Sequence, residues 1–140
     1  MEILEIKDLE TLAKKRVPKM FFDYVNSGSW TETTYNENVS DFQKIKLRQR
    51  VAIDMSNRTL ETKMINQTVS MPVAIAPTGL TGMQRADGEI LAAQAAEEFG
   101  IPYTLSTMSV CSIEVVAEKT KKPFWFQLYV MKDKKFMERL

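Results

Sequence analysis

An α/β fold is predicted for these 140 residues: a helical first part, then three strand–helix units with parallel strands. Three observations carry that reading. Short apolar runs at residues 73–76, 102–105 and 124–130 alternate with segments of helical spacing. The strand centres Ile75, Thr104 and Phe126 lie 29 and 22 residues apart, enough for a strand, a crossover helix and a parallel return strand joined with a right hand. A chain of about 150 residues also buries roughly 70% of its unfolded surface, so a packed core is expected.

Asp8 is placed to cap a helix running to Arg16, with Leu9, Leu12 and Ala13 at helical spacing. Pro18 suits the first turn of a second helix carrying Met20, Phe21, Phe22 and Val25, which Gly28 ends. A polar helix follows over residues 32–42, and the basic stretch 44–50 reads as a solvated connector. Leu60-Glu61-Thr62 and Lys63-Met64-Ile65, beside Asn66-Gln67, suggest a small hairpin.

Residues 73–76, bounded by Pro72 and Pro77, form a continuous apolar strand of the kind covered on both faces. Asp87 caps a helix with Leu91, Ala95 and Phe99 along one face and Gly100 as its stop. Residues 102–105 make the second strand. Ser112 opens a helix with Ile113 and Val116 on one face, and Lys119, Lys121 and Lys122 sit at the negative end of its dipole. Residues 124–130 are the third strand, and Asp133 caps a last helix reaching Leu140.

The organisation is one incomplete domain, with a helical extension and linker over 1–58 and a hairpin plus three βα units over 59–140. A doubly wound sheet and a barrel can both begin in this way. The turn Pro77-Thr78-Gly79-Leu80-Thr81-Gly82 has neither a dinucleotide fingerprint nor a phosphate-loop Gly-Lys-Ser/Thr. An eight-stranded barrel takes about 250 residues, so this chain holds less than half of one.

Nineteen basic residues against 18 acidic ones, net +1, argue against nucleic acid as a partner, which needs a cationic excess. The single Cys111 excludes an internal disulfide. With no histidine, the chain lacks the ligands of an ordinary zinc site and every Ser-His or Cys-His nucleophile pair. The start Met1-Glu2-Ile3-Leu4-Glu5 has no secretory pattern, and no apolar run approaches the roughly 20 residues of a spanning helix. The expected location is cytoplasmic.

Barrel sites gather where strands end. The first strand ends in Pro77, Thr78 and Gly79, the second in Ser106 and Thr107, and the third carries Gln127 and Tyr129. Glycine lets a flat ligand approach the backbone, while a hydroxyl, an amide and a phenol can bond a polar heterocycle. Ser and Gln at strand ends often only satisfy loop backbone. Tyr24, on an apolar helix before Gly28, reads from pattern alone as a core tyrosine with a wet hydroxyl. The nine methionines read as core filler.

Met20-Phe21-Phe22-Asp23-Tyr24-Val25-Asn26-Ser27-Gly28, Leu47-Arg48-Gln49-Arg50, the run from Ser70 through Gly79, Thr104-Leu105-Ser106-Thr107 and Trp125-Phe126-Gln127-Leu128-Tyr129-Val130 together resemble the FMN-dependent α-hydroxy-acid dehydrogenase family. The likeness runs along essentially the whole chain. Within the family, Asp54-Met55-Ser56-Asn57, Gly79-Leu80-Thr81-Gly82-Met83 and Ser109-Val110-Cys111-Ser112-Ile113-Glu114 look most like the respiratory L-lactate dehydrogenases of bacteria.

The resemblance implies the N-terminal part of a (β/α)8 TIM barrel, truncated after about three βα units, with FMN at the C-terminal mouth. It matches Tyr24 to a tyrosine that binds the substrate carboxylate and Tyr129 to one facing substrate and flavin. Pro77, Thr78 and Gly79 match backbone beside the flavin ring, and Ser106 and Gln127 match side chains bonded to it, where such contacts tune its electronics. The implied reaction oxidises L-lactate, a 2-hydroxy acid, to pyruvate, with a quinone or cytochrome as acceptor.

The family's histidine base, carboxylate-clamping arginine and flavin lysine come from later strands. No catalytic residue is therefore assigned here, and the chain alone is expected to be inactive, its other part supplied by a companion chain or lost. The bacterial lactate enzymes extend the expected location to peripheral attachment on the cytoplasmic side of the inner membrane, although no amphipathic basic helix here would do that. A glycolate or lactate oxidase passing electrons to oxygen is the nearest alternative, though Gly79 stands where many oxidases have alanine. A non-catalytic remnant or assembly module is the other.

Overall fold

The computed structural model describes residues 2–139. The chain forms two compact units that meet between Thr59 and Leu60. The first contains α1 (Ile6–Arg16), α2 (Lys19–Val25), α3 (Thr33–Ser40) and a 3-10 turn (Asp41–Lys44). Glu5, not Asp8, occupies the N-cap of α1. Asp8 lies three residues inside and its carboxylate accepts the Leu4 and Glu5 N–H groups, satisfying orphan donors from within the first turn. Pro18 stands just before α2, and the helix ends at Asn26, ahead of Gly28. Gly28 has a different reason to be small: a Cβ there would lie 2.7 Å from the Cβ of Tyr35.

The second unit opens with the antiparallel hairpin of β1 (Thr62–Met64) and β2 (Gln67–Val69), Met64 opposite Gln67. Its strands lie later than the sequence reading placed them, because Ile65 and Asn66 both adopt positive φ and form the two-residue turn. After it come α4 (Thr81–Gln84), α5 (Gly88–Phe99), β3 (Thr104–Ser106), α6 (Ile113–Glu118), β4 (Trp125–Gln127) and α7 (Lys134–Met137). Strands β3 and β4 pair in parallel, Leu105 opposite Phe126, and Ile75 bridges in parallel to Tyr103.

The first predicted strand is thus a single bridge. Ile75 spends both backbone groups on its neighbour, donating to Pro102 O and accepting from Thr104 N–H. Val73 and Ile75 are exposed, contrary to the expected burial on both faces. Alternate residues of a strand address opposite neighbours, so Ala74 and Ala76 present a free edge.

Helix α5 also differs from its expected face. Leu91, Ala95 and Phe99 are exposed, while Glu89, Ile90, Ala93 and Ala96 turn inward. The helix has two apolar faces, and the parallel strands take the one that the four-residue stripe does not mark. Gly100, at φ +73°, closes it through a bond to Glu97 O. Ile90, Ala93, Ala96, Tyr103, Leu105 and Val116 form the core, with the Tyr103 and Phe124 rings edge to face at 6.3 Å. Ser112 Oγ accepts the Val115 N–H and Asp133 the Phe136 N–H, so both act as the caps expected of them.

Candidate functional site

The C-terminal ends of the parallel segments are tied into one hydrogen-bonded rim. Ser106 is 3% exposed. Its hydroxyl accepts the Met108 N–H at 3.1 Å and donates to Gln127 Oε1 at 3.2 Å. Thr107 donates both its N–H and its hydroxyl to Gln127 O, and that hydroxyl accepts the Tyr129 N–H at 3.1 Å. On the other side, Leu80 N–H donates to Met108 O at 2.9 Å. Ser106, Gln127 and Tyr129 are therefore linked across β3 and β4, and the segment Pro77 to Gly79 is joined to them through the next residue, Leu80. Tyr24 belongs to the first unit, near the end of α2, and is exposed there, as Tyr129 is in the second.

This rim leaves donors over. With Gln127 Oε1 occupied by Ser106, the amide Nε2 has no acceptor among the described residues, and neither do the Thr78 and Gly79 N–H groups. Unspent N–H donors at the ends of the two segments that flank β3 suit a planar heterocycle edged with carbonyl oxygens and ring nitrogens, which is the chemistry of an isoalloxazine. The residues present fit FMN on that ground.

Sequence reasoning missed Glu89. Its side chain is fully buried at the start of α5, and Oε1 accepts two backbone bonds, from Gly82 N–H at 2.9 Å and Val110 N–H at 3.0 Å. Burial alone pushes the carboxyl up, but the bonds from Val110 and Gly82, with the Cys111 thiol beside it, outweigh burial and hold it below the usual glutamate range. The same neighbourhood acts on its partners: burial, then the Glu89 charge, raises the Tyr103 phenol to about 12, and burial, then the Glu89 side chain, pushes the Cys111 thiol up. The signal was legible in principle, since Glu89 shares its helix face with Ala93 and Ala96, where an acid is rarely found unpaired.

A depressed carboxyl contributes stability that is fully present above its unfolded value and is lost as pH falls through the folded one. The urea midpoint should therefore fall between pH 7 and pH 3, beginning near the ordinary glutamate value of about 4.3. Glu89→Gln should shrink that fall, as urea titrations at the two pH values would read.

Parallel strands with polar groups gathered at their C-terminal ends mark the α/β folds, barrels and open sheets, that bind their ligands there. The sequence profile of the FMN-dependent dehydrogenases matches residues 13–140, and the chain belongs to that family. The L-lactate dehydrogenase of Acinetobacter baylyi is 51% identical over 138 residues, 99% of this chain and 36% of that protein. That of Acinetobacter baumannii is 53% identical over 130 residues, 93% of this chain and 34% of that one.

Among solved structures, the monotopic membrane protein (S)-mandelate dehydrogenase aligns with a TM-score of 0.89 at 36% identity, covering 96% of this chain and 36% of that one. Mandelate oxidase with (S)-4-hydroxymandelic acid gives 0.84 at 32% identity, over 92% and 36%. The fold is the N-terminal part of a (β/α)8 barrel, and the chain spans about a third of the length of the curated relatives it matches. Among the described residues no helix is long and apolar enough to cross a membrane.

Proposed function

We propose that this chain forms the cofactor-facing first third of an FMN-dependent L-lactate dehydrogenase that oxidises L-lactate to pyruvate. The observation that carries the reading is the spare donor set at the strand ends, the Gln127 amide with the Thr78 and Gly79 N–H groups. Identity above 50% to two L-lactate dehydrogenases supports the substrate.

When bound, FMN would supply the two-electron acceptor that the oxidation needs. The chain's own residues prepare the site. Ser106 fixes the Gln127 amide and leaves Nε2 free to bond a flavin, and the Thr78 and Gly79 N–H groups would be available to it without side-chain bulk at Gly79. Tyr24 and Tyr129 offer phenol hydroxyls to the lactate carboxylate and to the substrate face. Lactate loses two electrons and two protons: the α-proton goes to a base outside these residues, which contain no histidine, and the hydroxyl proton with the two electrons would be taken up by the flavin. A quinone or cytochrome takes the electrons onward, and a companion segment carrying the rest of the barrel completes the site. The membrane neighbour supports peripheral attachment; the cytoplasmic side rests on the resemblance to the bacterial lactate enzymes alone.

The test is a complete barrel in which these residues replace the matching first third of the Acinetobacter baylyi enzyme. The expected product is yellow, bleaches with L-lactate under anaerobic conditions and releases little hydrogen peroxide in air. A colourless product, or one that lactate does not bleach, contradicts the proposal. Abundant peroxide moves the reading to an oxidase, the activity in the name of the 32% identical neighbour. In the same barrel, Gln127→Leu should weaken flavin affinity by about 10- to 100-fold, the cost of leaving one polar partner unmet, as equilibrium flavin titration would measure.

A further inference from the structure

Three backbone elements meet at one buried oxygen. Glu89 Oε1 holds Gly82 N–H in the turn that follows Pro77, Thr78 and Gly79, and it holds Val110 N–H in the loop that follows Ser106. Between Gly79 and Gly82 the chain is strained: Leu80 sits at φ 56°, in the left-handed region where a branched side chain costs on the order of 1–3 kcal/mol. Such a conformation persists only where its surroundings over-determine it. Here the constraints are the Leu80 bond to Met108 O and, two residues on, the Gly82 bond to Glu89.

The approach is close as well. A Cβ on Gly82 would lie 2.7 Å from Val110 Cβ and 2.9 Å from Glu89 Oε2, so the turn reaches the carboxylate only because residue 82 has no side chain. The other carboxylate oxygen, Oε2, is buried without a hydrogen-bond partner among the described residues. Placing a charge there is costly; its place in the first turn of α5 favours it, and the two hydrogen bonds the carboxylate accepts from beyond that helix come from the pair of loops.

We propose that Glu89 is a positioning residue for the flavin site: its Oε1 locks the turn of Pro77, Thr78, Gly79 and Leu80 against the loop after Ser106, and so sets the backbone that lies beside the ring. This rests on the FMN reading above. Glu89 touches neither substrate nor cofactor and acts through Gly82 and Val110. Reach should then matter more than charge. Glutamine keeps an oxygen at the same distance and can still accept both N–H groups, whereas aspartate keeps the charge one methylene too short.

The experiment compares Glu89→Gln and Glu89→Asp in the completed barrel. The expected result is that E89Q retains kcat within about 3-fold and keeps the visible flavin spectrum. E89D should lose about 10- to 100-fold in kcat, the scale of a misplacement near 1 Å, with a shifted flavin absorbance maximum and a KM for L-lactate changed less than 2-fold. A folded E89D with the parent's kcat and spectrum overturns the proposal, as does an E89Q impaired equally with E89D. A variant that fails to fold also counts against it, because the effect is assigned to two loops and not to the core. A parent barrel without flavin overturns the FMN reading and this inference together, whereas a yellow, active parent with indifferent variants overturns this inference alone.

Discussion

A polypeptide of these 140 residues alone, supplied with FMN and L-lactate, should show no lactate-dependent flavin bleaching, while the completed barrel bleaches. Two independent effects point the same way. Removing a proton beside a carboxylate needs a positioned base, worth typically about 10² to 10⁴-fold in rate, and no histidine is present to act as one. The cofactor site is also half walled. The rim supplies spare donors from two segments, but among the described residues no strand lies beside the Ala74 and Ala76 edge, and Leu91, Ala95 and Phe99 leave an apolar face of α5 open to water. An unpaired parallel edge next to exposed apolar surface favours self-association. Size-exclusion chromatography of the chain alone should thus give aggregates, and its melt should be broad. A monomer with a sharp cooperative melt, or bleaching by lactate, contradicts this expectation.

The helix-and-strand order was readable from the sequence because its punctuation is chemical. Ser112, Asp133 and Gly100 sit where side-chain caps and a left-handed stop are needed, and each is found doing that work. What could not be read was which face of α5 meets the sheet. Leu91, Ala95 and Phe99 are larger than Ala93 and Ala96, and hydrophobic size favours the wrong stripe. Close helix-on-strand approach selects the small residues instead, leaving the bulky ones for whatever covers the other side.

The strand over 73–76 shows the same effect at the level of the sheet. Its apolar run is suited to burial on both faces, yet with a neighbour on one side only it contributes one bridge and stays exposed. At the site, the strand-end rule located Ser106, Gln127 and the Pro77 turn, which the structure ties together. Glu89 could be noticed only as an acid on the Ala93 and Ala96 face; what it holds could not be read, because its partners are backbone N–H groups, which have no signature in side-chain identity.

Leu105→Ala should be the most damaging single substitution in the second unit. Leu105 lies at the centre of β3, is fully buried, and packs in the cluster of Ile90, Ala93, Tyr103 and Val116. Truncating a buried leucine costs about 2–5 kcal/mol, depending on how far the cavity collapses. Here collapse is resisted, because the backbone of β3 is held by the ladder to β4 on one side and the Ile75 bridge next to it on the other. A loss of that size is a large part of the roughly 5–15 kcal/mol that holds a typical protein folded.

The effect should reach the site, since successive residues of a strand face opposite ways and Ser106 is the next one along. In the completed barrel, L105A should therefore lower both the urea midpoint and the flavin affinity, while L105M, which keeps the volume, should cost less than about 1.5 kcal/mol. Leu47→Ala, at an almost fully exposed position of the connector, should stay within about 0.5 kcal/mol of the parent. An L105A barrel as stable as L47A would mean that the cluster around β3 is not what supports the rim.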